Sequence, residues 1–154
     1  MLHGRVEVPE YGFAVTFPAH WDVDPSGAPG YGEADPEVGP FSALVAWDQP
    51  QETADRTHCV MWVDASTRPT VTLVAYTEQR IRGFDVTGAY ALVTLPAGRG
   101  MQTTYTYDYD VVLGHTEYVL AKDGVFYTFG CIGEDLPSDG SRSIAETWEW
   151  LPKE

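Results

Sequence analysis

The sequence predicts an α+β layered domain: an α/β/α sandwich around a mainly antiparallel β-sheet, with two principal helices. Two observations set the class. The last third of the chain alternates apolar or aromatic with polar residues at period two and carries an Asp-Gly pair at 123–124, the signature of hairpins. Two other stretches, near 69–83 and 139–151, repeat apolar residues at helical spacing. The length of 154 residues, 44% hydrophobic and 21% charged, fits one domain over residues 1–154 with a sizeable core and no internal repeat.

From the start, Val6 and Val8 alternate with charged residues, and Phe13, Val15 and Phe17 alternate with small or polar ones, so both stretches read as strands. Pro18 marks a sheet edge or bend. The segment Pro25–Pro40 is dense in Gly and Pro and reads as a long mobile loop. The runs FSALVAWD and HCVMWVDA that follow are apolar on both faces, as buried strands are. Pro69 suits a first helical turn, and Val71, Val74, Ala75, Thr77 and Ile81 form the expected buried stripe, stopped by Gly83. A strand ending at Pro96 and Gly98 leads into three more. With Asp123-Gly124 as a two-residue turn, Leu120 opposes Tyr127 and Tyr118 opposes Phe129. With Val111–Gly114 as a four-residue loop, Asp110 opposes His115, Asp108 opposes Glu117, and Tyr105 and Tyr107 join Tyr118, Leu120, Tyr127 and Phe129 on one aromatic face. A final helix, capped by Ser138 or Asp139, covers that face with Ile144, Trp148 and Leu151.

This order resembles the superfamily that joins PsbP-like extrinsic proteins of photosystem II, a nuclear-import factor that binds the GTPase Ran, and many small bacterial proteins. The residues that carry the resemblance are Tyr11-Gly12-Phe13-Ala14-Val15-Thr16-Phe17-Pro18 with Trp21, then Leu95-Pro96-Ala97-Gly98, the Tyr-Val-Leu strand at 118–120, Phe126 to Phe129, and the closing Trp-Glu-Trp-Leu-Pro. It implies the sandwich arrangement and a binding or assembly role; one bacterial branch includes chaperones for secretion effectors. It brings no catalytic residue, because the shared positions are structural. Other members are lipoproteins, but no lipidation cysteine stands near the start here, and the chloroplast targeting segment of the photosystem branch is missing.

The formal net charge is −14, which argues against nucleic-acid and anionic-membrane partners. The first ten residues lack a basic region followed by an apolar one, so the cytoplasm is the expected compartment. Cys59 and Cys131 lie in apolar strand-like runs. They read as reduced core thiols, with a disulfide or a catalytic thiol as alternatives. No hydrolase elbow, phosphate loop, zinc-protease or dinucleotide motif occurs, and no cofactor is implied. The strongest polar constellation is Asp108, Asp110, His115 and Glu117. In the register above these share one face within roughly 5–8 Å, where they present a binding surface for a basic partner or a divalent cation, or simply a solvated hairpin end. The expected function is therefore a non-enzymatic binding or adaptor protein with a protein or peptide partner, plausibly a chaperone. An acidic immunity protein against a basic toxin and a metal-dependent enzyme using the hairpin acids are the alternatives.

Overall fold

A computed structural model describes residues 2–18, 21–24, 41–47, 58–64, 72–81, 90–108, 112–132 and 138–152. In chain order the elements are β1 (Leu2–Val8), β2 (Phe13–Pro18), β3 (Asp22–Asp24), β4 (Phe41–Trp47), β5 (His58–Asp64), α1 (Leu73–Ile81), β6 (Tyr90–Leu95), β7 (Gly98–Asp108), β8 (Val112–Lys122), β9 (Val125–Ile132), α2 (Ser138–Ala145) and β10 (Glu149–Trp150). A seven-stranded sheet runs β3-β4-β5-β9-β8-β7-β6, and a second sheet runs β1-β2-β10. Every pairing among them is antiparallel. The α+β class stands. The Pro25–Pro40 segment lies outside the described residues.

One face of the large sheet holds the main core. Leu44, Cys59, Met61, Val63, Tyr118, Leu120, Tyr127 and Phe129 meet Phe13, Val15 and Phe17 of β2 and Ile144, Ala145 and Trp148 of the C-terminal segment. The Phe13 ring meets Tyr127 edge-on at 6.2 Å, and Phe17 stacks on Trp21 at 5.7 Å. The small sheet and α2 thus share this side. On the other side α1 packs Leu73 and Tyr76 against Met101, Val119 and Phe126.

The β8–β9 hairpin forms as its turn residues dictate. Asp123 and Gly124 both take positive φ, 54° and 79°, and Leu120 pairs with Tyr127 and Tyr118 with Phe129. The β7–β8 register differs from the expected one. Asp108 pairs with Val112 and Tyr105 with His115, so residues 109–111 connect the strands and the pairing shifts by five. An odd shift exchanges the faces of one strand relative to the other. Positions 105 and 107 therefore fall on the face opposite Tyr118 and Leu120, and the expected six-residue aromatic face is reduced to its β8 and β9 members.

α1 starts later than expected, at Leu73, and α2 ends earlier, at Ala145. Thr72 caps α1, its Oγ1 accepting the Ala75 N–H at 3.1 Å. The buried side of α1 is set by Tyr76 and Thr77, while Val74 is 42% exposed instead of lining the stripe. Tyr76 decides this rotation: its ring lies 4.1 Å from that of Phe126, and its hydroxyl donates to Asp64 Oδ2 at 3.0 Å. After Ala145 the N–H groups of Thr147 and Trp148 bond three residues back, which tightens and ends α2. Thr147 Oγ1 then accepts the Thr16 N–H at 2.8 Å, and β10 joins β2. Trp148 is still buried in the core, but from a turn.

The expected pair of reduced thiols is not what the structure contains. Cys59 and Cys131 stand directly opposite each other on β5 and β9 and form a disulfide. Adjacent apolar runs concealed this, because cross-strand register cannot be read from two segments 72 residues apart.

Candidate functional site

The four residues singled out in the sequence do not assemble as expected. Glu117 pairs with Thr103, five positions along the β7 ladder from Asp108, so these two positions lie on opposite faces. His115 pairs with Tyr105 and shares the Glu117 face by register, two positions away on the same strand. Asp110 lies outside the described residues. Among the described residues, no group of three or more His, Cys, Asp or Glu is arranged to hold a metal ion.

Glu117 is nonetheless unusual, being only 1% exposed. It sits on the α1 side of the sheet, flanked by Thr103 on β7 and Gly130 on β9. Gly130 contributes no side chain there. Thr128, one pair further along β9, faces the same side. The hydroxyls of Thr103 and Thr128 are buried and make no hydrogen bond among the described residues. Asp64 and Tyr76 close the far end through their hydrogen bond. The two sides of the sheet therefore differ: the side under the small sheet is apolar and aromatic, whereas the side under α1 mixes an apolar cluster of Tyr76, Met101, Val119 and Phe126 with the buried polar residues Asp64, Thr103, Glu117 and Thr128. This group of buried polar residues is the best candidate for a functional cluster inside the fold: Asp64 is engaged by Tyr76, and the Thr103 and Thr128 hydroxyls have no partner among the described residues.

Asp64 was missed in the sequence because HCVMWVDA reads as apolar on both faces, and Tyr76, Thr103 and Thr128 because single polar groups in an apolar helix stripe or an alternating strand carry no mark of burial. The available signal was parity: in β5, Trp62 and Asp64 fall on the side opposite Met61 and Val63. On the aromatic side, burial pushes the Tyr118 and Tyr127 hydroxyls above their ordinary pKa; Ser141 and Arg142 pull Tyr118 back, whereas Asp123 raises Tyr127 further. At the small sheet, Arg5 bonds both Glu7 and Glu149, and this lowers the Glu149 pKa.

No family model matches the chain, and no curated protein matches it. Solved structures do. LpqN of Mycobacterium tuberculosis, described as involved in cell envelope biogenesis, aligns at a TM-score of 0.63 and 14% identity over 96% of this chain and 90% of its own. The cyanobacterial PsbP of Synechocystis aligns at 0.60 and 16% identity over 97% and 92%. A protein of Bacteroides thetaiotaomicron aligns at 0.56 and 10% identity over 99% of this chain but 50% of its own. The fold is PsbP-like.

Proposed function

We propose that this chain is a non-enzymatic binding and assembly protein that engages another polypeptide in an oxidising compartment such as the cell envelope. The observation that carries the reading is the Cys59–Cys131 disulfide. Disulfides between buried core strands persist where thiols are not kept reduced, which favours a secreted or envelope setting over the cytoplasm expected from the N-terminus. The fold likeness to LpqN, itself tied to envelope biogenesis, supports the same direction. The net charge of −14 favours a basic partner, drawn by long-range attraction that salt weakens.

The test is thiol trapping in acid-quenched cells of the native host, combined with in-cell crosslinking of the tagged chain. Both cysteines stay unlabelled until reduction, and one recurrent polypeptide is crosslinked in an amount that falls with added salt. Freely labelled cysteines overturn the compartment, and the absence of a crosslinked polypeptide overturns the adaptor role.

A further inference from the structure

The sheet edges described here are not equally protected. A strand edge presents unpaired N–H and C=O groups, and proteins blunt it with charge, brevity or proline. Edge strand β1 carries Arg5 and Glu7, both exposed and ion-paired. Edge strand β3 spans three residues, two of them acidic. Edge strand β10 spans two residues. Strand β6 ends the seven-stranded sheet with none of these devices: its six residues, YALVTL, hold no charge and no proline. In its middle, Leu92 is 77% exposed although its ladder partner Met101 is buried.

The backbone of β6 is phased for a particular partner. Leu95 and Gly98 flank the two-residue Pro96-Ala97 turn and so form a hydrogen-bonded pair. By the alternation of antiparallel ladders, the polar groups of residues 91, 93 and 95 point to β7. Those of 90, 92 and 94 point away from the sheet.

We propose that β6 pairs antiparallel with β6 of a second copy of this chain, about a twofold axis at Leu92. That register sets Leu92 opposite its own copy and position 90 opposite Thr94 of the other copy. It uses the outward groups of all three residues as hydrogen-bonded pairs. Positions of equal parity meet, so each face of the sheet continues into the same face of its copy, and the two aromatic cores lie on one side of a joined sheet. Charge does not oppose a second copy at this edge, and the self-complementary register about Leu92 is what favours it. A chain of net charge −14 resists self-association wherever acids meet, but β6 has no charged residue, and the segment Gly98–Thr103 that backs it contributes only Arg99. The exposed Leu92 side chain is covered by an identical one, the pairing an isologous interface requires.

Sedimentation equilibrium of the intact chain tests this, together with Leu92→Lys, Thr94→Pro and Leu92→Cys. The wild type forms a dimer that tightens as salt screens the like-charged bodies, the opposite of the salt response of a basic partner. Leu92→Lys and Thr94→Pro are monomeric while keeping the wild-type circular dichroism spectrum, and Leu92→Cys crosslinks through position 92 on mild oxidation. A wild type monomeric at every concentration, a dimer indifferent to both substitutions, or a monomer that instead recruits an extended peptide to this edge overturns the proposal. None of these outcomes bears on the disulfide or the crosslinked partner, so the two readings fail separately.

Discussion

Among the described residues Trp148 is the largest fully buried side chain, and it is held by neighbours from three directions. Tyr127 meets it edge-on at 6.3 Å, Trp150 lies 5.4 Å away, and Ile144 and Ala145 close the remaining side. Truncation to Ala leaves a cavity that a sheet-backed site cannot collapse, and is expected to cost about 3–5 kcal/mol. Its Nε1 makes no hydrogen bond among the described residues, so Trp148→Phe loses volume without orphaning an acceptor. Denaturant titration should place Trp148→Phe between the wild type and Trp148→Ala; equal midpoints for all three exclude a packed Trp148. On the other side of the sheet, Tyr76→Phe keeps the stack on Phe126 but removes the donor to Asp64. The buried carboxylate then loses a hydrogen bond worth roughly 1–3 kcal/mol, measurable as a lower urea midpoint with an unchanged slope.

At the scale of elements, the two hairpins of the last third show what the sequence makes legible. Asp123-Gly124 demands positive φ at two successive positions, and only one register satisfies that demand, so β8–β9 could be read correctly to the residue. The β7–β8 connection has no such marker. Tyr109, Asp110 and Val111 include no glycine and no Asp-Gly pair to fix a turn type, and Gly114 drew the loop to the wrong side, although it lies inside β8 opposite Thr106. With that error went the acidic site, since its assembly depended on one pairing. Gly100 shows a constraint that alternation could not reveal. A Cβ at this position would press into Val119 O and Leu120 Cδ2, the first of them backbone. Gly100→Ala is therefore expected to destabilise by about 1–3 kcal/mol, because the β7–β8 ladder must part to admit one methyl group. Gly98→Ala meets no atom but sits at φ 149°, so its cost is conformational and should leave the β7–β8 amides protected in hydrogen exchange, where Gly100→Ala exposes them.

The whole molecule is a large sheet clamped on both faces, and its two titration and redox handles lie on the aromatic side. Tyr118 and Tyr127 stay neutral in the fold because burial raises their pKa. Up to about pH 10, the ordinary tyrosine value, neither state releases these protons and they leave stability unchanged. Above it the unfolded chain deprotonates first, so the folded state binds more protons and stability falls with rising pH. Tyrosinate absorbance should then rise together with unfolding; a smooth non-cooperative titration shows the two hydroxyls to be open to solvent. The disulfide acts on the same core from the other direction. It joins β5 to β9, adjacent strands at the centre of the sheet, and closes a loop of 72 residues that includes α1, β6, β7 and β8. Removing a link of that span restores freedom to the unfolded chain worth roughly 4 kcal/mol in the chain-entropy account. Cys59→Ala/Cys131→Ala also gives up packing at two buried positions, whereas reduction of the native chain leaves both sulfurs in place. The reduced chain should thus melt well below the oxidised one, with the double Ala variant lower still. If reduction leaves the melting temperature unchanged while mass spectrometry confirms two free thiols, the ladder and the aromatic core hold β5 to β9 unaided, and the bond contributes nothing to the stability of the fold.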